Sequence, residues 1–102
     1  METQVSLHDG KAVMKLAGRF DFNAHREYRE ALERLSALPE NSDFVVDLAE
    51  VSYLDSSALG MLLLLRDRAR HANKSVTLSG VKGTVRQVLE IANFSKMFAI
   101  TE

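Results

Sequence analysis

Residues 44–66, FVVDLAEVSYLDSSALGMLLLLR, constrain the fold more than any other stretch of the chain. An apolar run rich in β-branched residues, a short polar crossing and a block of leucines read as a buried strand feeding a helix. In the strand, placed at residues 43–48, Phe44, Val46 and Leu48 point one way and Val45 and Asp47 the other. Both sides carry apolar residues, which predicts a central strand covered on two faces. Residues 49–54 are read as the crossing. The helix is predicted over 57–72, where Leu59, Leu62, Leu63 and Ala69 form one stripe and Met61, Leu64 and Leu65 widen it. Arg66, Arg68, Arg70 and His71 follow at its end, where a helix dipole favours positive charge.

The flanking segments supply partners for that unit. Val5 and Leu7, then Asp9-Gly10, then Val13, Met14 and Leu16 form a hairpin pattern that predicts paired strands at 3–8 and 11–17. Residues 18–23 are read as a loop ending in Asp21 and Asn23, either of which can cap a helix. Tyr28, Ala31, Leu32, Leu35 and Leu38 fall at helical spacing, so an amphipathic helix is expected over 24–38, ended by Pro39-Glu40-Asn41-Ser42. A fourth strand is expected at 75–79. A third helix follows at 84–92, stopped by Asn93 in a left-handed conformation, before an apolar tail or short edge strand containing Phe94, Met97, Phe98 and Ile100. Strands alternating with helices after an initial hairpin predict an α/β domain with one small, mostly parallel sheet.

At 102 residues the chain is expected to form a single domain over 1–102. Thirteen basic residues against fourteen acidic ones leave a net charge of −1, which gives no electrostatic reason for binding nucleic acid or an anionic membrane and makes a protein the expected partner. With no cysteine, disulfides, thiolate metal sites and cysteine nucleophiles are excluded. The longest apolar run, residues 61–65, is far short of the roughly 20 needed to span a bilayer, and the first residues lack the pattern of a signal peptide. The expected location is the cytoplasm.

The residues that invite function are Asp55-Ser56-Ser57-Ala58, at the opening of the central helix. An Asp or Ser in that place is ordinarily a cap worth about 1 kcal/mol. One cap suffices for one helix, so the other two side chains are redundant. A hydroxyl left free beside a carboxylate is permissive for modification, and both readings stand on these residues alone.

The segment VVDLAEVSYLDSSALGMLL resembles the signature of STAS domains of the anti-sigma factor antagonist family, in which a strand ends in Asp-Leu and the next helix begins Asp-Ser-Ser or Asp-Ser-Thr. Gly18-Arg19-Phe20-Asp21 is similar to the Gly-Glu-Leu-Asp loop of that family. The likeness covers essentially the whole chain in element order and implies a STAS fold. It implies a non-enzymatic, partner-switching module for transcription regulation and signal transduction, with no cofactor and no metal. Ser56 would accept phosphate from an anti-sigma factor that is a GHKL-type serine kinase, and a serine phosphatase would remove it. The unphosphorylated form would bind the kinase and release its sigma factor. Asp21, Phe22, Asp55, Ser56, Ser57 and Ala58 would make the partner-binding surface, with Ser57 a cap rather than an acceptor. Two departures stand out. Ala58 replaces a usual glycine, which restricts the backbone after the serines and the approach of a partner, and Arg19 replaces an acidic residue. Two other roles remain open for the same fold: a scaffold subunit of a larger assembly in lipid transport or stress signalling, never phosphorylated, and a small-molecule or nucleotide binder.

Other groups carry less. His8, His25 and His71 have no metal-ligand spacing. A Ser-His-Asp triad lacks the Gly-x-Ser-x-Gly elbow, and Gly80-Val81-Lys82-Gly83 lacks the length and the Lys-Ser/Thr pair of a phosphate loop. Phe20 and Phe22 are expected to be partner anchors if exposed and core if turned inward.

Overall fold

The computed structural model describes residues 1–39 and 42–102. Strand β1 (Glu2–His8) turns at Asp9 and Gly10, both with positive φ, into β2 (Lys11–Phe20). That pair of left-handed residues gives a two-residue hairpin loop, and Gly10 reaches its φ of 76° without steric cost. A single 3-10 turn, Phe22–Ala24, leads into α1 (His25–Ser36), followed by β3 (Phe44–Leu54), α2 (Ser56–His71), β4 (Val76–Ser79), α3 (Gly83–Ile91), a second 3-10 turn (Phe94–Lys96) and β5 (Ala99–Ile100). Of the predicted helix stop, Glu40 and Asn41 lie outside the described residues; α1 already ends three residues before Pro39.

The five strands lie in the order β1-β2-β3-β4-β5, antiparallel at the first pair and parallel thereafter. Because spatial order follows chain order and parallel crossovers are right-handed, α1, α2 and α3 fall on the same face of the sheet. Burial agrees. Ala12, Met14 and Leu16 of β2, Phe44, Val46 and Leu48 of β3 and Leu78 of β4 are buried against the helices, whereas Val45, Asp47, Thr77 and Ser79 between them are half-buried. The expectation of a central strand covered on both faces is thereby corrected. Apolar residues on the second face of β3 mark a partly open sheet surface, not a second helical layer.

The helices fill the other side with the residues that their spacing picked out. Tyr28, Ala31, Leu32 and Leu35 of α1, Met61, Leu62, Leu65 and Ala69 of α2, and Val85 and Leu89 of α3 join one core. Full burial of each large apolar side chain contributes about 1.5–3 kcal/mol. Phe20 closes the core at the end of β2, its ring stacked on that of Tyr28 with centroids 5.3 Å apart. The C-terminal tail is tied down as an edge strand. The Thr101 N–H donates to the Leu78 carbonyl at 2.9 Å, and the Arg66 Nε of α2 donates to the Met97 carbonyl at 3.1 Å.

Two strands run further than the sequence suggests. β2 continues through Gly18 and Arg19 to Phe20, and the supposed crossing at residues 49–54 is the second half of β3. The extension is irregular. Lys15 pairs with Asp47 but Ala17 with Glu50, so β3 carries an extra residue there, and the Asp47 Oδ1 accepts the Ala49 N–H at 3.0 Å across the bulge. The polar residues that resemble a loop are thus strand residues around a bulge, which bends the strand and re-aims its side chains.

Candidate functional site

The site follows from the pairing of β2 with β3. These neighbours are parallel and end in register, Phe20 beside Leu54, so the segments leaving them start side by side at one edge of the sheet. The carboxyl ends of parallel strands are where open α/β sheets place their ligands. The first segment carries Asp21 and Phe22, the second Asp55, Ser56 and Ser57.

Two hydrogen bonds stitch the segments together. The Asp55 N–H donates to the Phe20 carbonyl at 3.4 Å, and the Phe22 N–H donates to the Asp55 Oδ2 at 3.3 Å. The other carboxylate oxygen, Asp55 Oδ1, accepts the Ala58 N–H at 3.0 Å, so Asp55 is the N-cap of α2. Asp21 plays the matching part in its own segment, capping the 3-10 turn by accepting the Asn23 N–H on Oδ1 at 3.0 Å. Each aspartate holds its own turn, and Asp55 also holds the other.

Because Asp55 is the cap, neither serine is, which corrects the expectation that Ser57 caps the helix. Ser56 is the first residue of α2, exposed, and its hydroxyl makes no hydrogen bond among the described residues; Ser57 is half-buried. No acidic side chain sits in the first turn of α2 itself; the carboxylate at that positive pole is the Asp55 cap, which accepts the Ala58 N–H.

The predicted site residues therefore gather, with one exception. Ala58 offers no contact surface: its side chain is 0% exposed and its N–H is taken by Asp55. It is a buried packing residue of the cap, and a methyl group that points into the core does not narrow a partner's approach. The two phenylalanines divide, Phe20 being wholly buried and Phe22 69% exposed. Met61 and Leu65 are core, and Leu64 is half-buried.

One part of the site was not anticipated. Arg19 and Tyr53 pair across β2 and β3, and the Arg19 guanidinium lies over the Tyr53 ring, 4.4 Å from its centroid. The Arg19 Nε also approaches the Asp21 Oδ2 at 3.4 Å. Tyr53 was hidden by the reading of 49–54 as a crossing. Period-two alternation could not reveal it, because a second register shift between Val51 and Tyr53 leaves Val51 and Leu54 buried and Ser52 and Tyr53 exposed.

Residues 3–101 match the family model described as Mlab, STAS domain, and the chain belongs to the STAS-domain family. A STAS-domain containing protein of Pseudomonas aeruginosa is 47% identical over 94 residues, which span 91% of each chain. Solved structures of the same fold include an anti-sigma factor antagonist from Mycobacterium paratuberculosis, at a TM-score of 0.85, 21% identity and coverage of 98% of this chain and 84% of that one. Another is the Bacillus cell fate determinant SpoIIAA in its phosphorylated form, at 0.71, 16% identity and coverage of 99% and 92%. At those identities the structural likeness is one of fold.

Proposed function

We propose that this chain is an anti-sigma factor antagonist, a non-enzymatic protein-binding module switched by phosphorylation of Ser56. Unphosphorylated, it binds a GHKL-type serine kinase that acts as an anti-sigma factor, so that the sigma factor is released; phosphorylated, it lets go, and a serine phosphatase resets it. The observation that carries this reading is the exposed Ser56 hydroxyl at the first position of α2, left free because Asp55 supplies the cap. The phosphorylated structure of a protein of the same fold lends support.

The physical logic is local. A phosphate adds about −1.5 to −2 charge at neutral pH. The helix N-terminus favours an anion, so the fold tolerates it. Docking does not, because Asp55 and Asp21 stand in the stitched segments on either side and a partner would have to desolvate all three charges. The contact surface is Asp21, Phe22, Asp55, Ser56 and Ser57, with Phe22 as its apolar anchor. The test is incubation with Mg-ATP and each GHKL kinase of the host, read by intact mass. Gain of one phosphoryl group, lost in Ser56→Ala, is the expected result. A kinase that binds the protein tightly yet never modifies it points instead to a scaffold.

A further inference from the structure

We propose that Arg19 is an internal phosphate receiver: when Ser56 carries phosphate, the guanidinium leaves Asp21 and Tyr53 and pairs with the phosphoserine, so the switch changes the shape of the surface as well as its charge. The inference rests on Ser56 being the modified residue.

Three observations support it. First, Arg19 lies on the strand bonded to the segment that carries Ser56. It lies one residue before the buried Phe20, whose carbonyl accepts the Asp55 N–H, so the β2 segment that carries Arg19 is bonded directly to the residue preceding Ser56. One strand spacing, about 4.8 Å, separates Arg19 from its register partner Tyr53, three residues before Ser56.

Second, Arg19 is weakly committed where it is. Its side chain is 66% exposed, its contact with Asp21 is made by Nε alone at 3.4 Å, and its terminal nitrogens donate to nothing among the described residues. Arginine pairs best through two parallel N–H donors. Asp21 offers it one distant oxygen, because Asp21 Oδ1 is already taken by the Asn23 N–H.

Third, the exchange answers a charge problem. A dianion at Ser56 joins the carboxylates of Asp55 and Asp21, and neither can turn away without releasing the turn that it caps. A phosphate with three acceptor oxygens outcompetes a carboxylate for a guanidinium. Its gain of Arg19 uncovers Tyr53, which then presents a bare ring to the solvent in place of one capped by a cation.

The experiment uses the full chain with phosphoserine installed at position 56 during translation, so its outcome does not depend on any kinase. The second ionisation of the phosphate is followed by phosphorus NMR across pH 4.5–8, about two units around its ordinary value near 6, in this protein and in the Arg19→Gln variant. Arg19, Asp21, Asp55 and His25 are the charged or titratable groups on the adjoining segments. All but Arg19 are common to both proteins, so the difference isolates the arginine. The expected result is a phosphate pKa lower by about half a unit or more with Arg19 present, together with a phosphate-dependent shift of the Tyr53 ring resonances that Arg19→Gln abolishes. Equal phosphate pKa values in the two proteins, or a Tyr53 ring indifferent to the phosphate, overturn the proposal. Whether the cell modifies Ser56 is settled separately by the mass measurement above, so the two readings fail independently.

Discussion

The Asp55 carboxylate accepts the backbone N–H of Phe22, 33 residues earlier in the chain, at 3.3 Å while its other oxygen caps α2. One side chain thus fixes the start of a helix and the loop that carries the exposed phenylalanine. Asp55→Ala removes both bonds and is expected to cost about 1–2 kcal/mol of stability in urea unfolding. Ser or Asn at this position restores the cap but, with one acceptor oxygen, not the Phe22 bond as well, and should recover only part of that loss.

Ser56 contributes little to stability, since its exposed hydroxyl bonds to nothing among the described residues. Ser56→Ala should unfold within about 0.5 kcal/mol of the parent while losing all phosphate incorporation. Ser57→Ala should keep incorporation. Ser56→Asp should weaken kinase binding with thermal unfolding still cooperative; kinase binding as tight as the parent's would contradict the switch.

The two phenylalanines should behave oppositely. Phe20 is buried and stacked on Tyr28, so Phe20→Ala should cost about 3–5 kcal/mol of stability. Phe22 is exposed, so Phe22→Ala should leave stability almost unchanged and weaken partner binding by about 2 kcal/mol or more, as a central aromatic anchor does. Calorimetric titration with the partner alongside urea unfolding separates the two effects.

Glycines at two positions give opposite signs. A Cβ on Gly80, whose φ is +68°, would lie 2.7 Å from both the Cβ and the backbone nitrogen of Ala49. Gly80→Ala should therefore cost about 2–4 kcal/mol, combining left-handed strain with overpacking against the bulge of β3. Gly60 lies within α2, and a Cβ there meets nothing within 4 Å among the described residues. Gly60→Ala should stabilise the protein by about 0.5–1 kcal/mol in the same assay.

Tyr28 holds a buried hydroxyl with no hydrogen-bond partner among the described residues. Burial pushes its phenol well above its ordinary value, against a smaller opposing pull from Arg68. A folded state that keeps a proton which the unfolded chain releases loses stability as pH rises past the unfolded value of about 10. Tyr28→Phe should match or exceed the parent by up to about 1 kcal/mol at pH 7 and lose less stability between pH 9 and 11, measured by urea unfolding at each pH.

Much of the fold was legible because burial imposes periodicity. The stripes Tyr28-Ala31-Leu32-Leu35 and Val85-Leu89 are core, and the Asp9-Gly10 turn and the left-handed Asn93 (φ 59°) stand where the sequence put them. The misreadings have two causes. A bulge at residues 48–49 interrupts the alternation of β3, so a strand resembled a crossing, and the apolar Val45 resembled a second buried face when it belongs to a half-covered one. In the site, the capping potential of Asp55 and Asp21 could be read from residue type. Their division of labour could not, since it depends on Phe20 and Leu54 ending in register. The placement of Arg19 over Tyr53 was invisible for the same reason.

For a chain that acts as proposed, that register would have a consequence for quality control in the cell. The two halves of the proposed docking surface are distant along the chain and meet only after β2 and β3 have zipped together. A kinase that read both halves at once would ignore nascent, truncated or misfolded copies. Only finished molecules would then count toward the threshold at which the partner is sequestered.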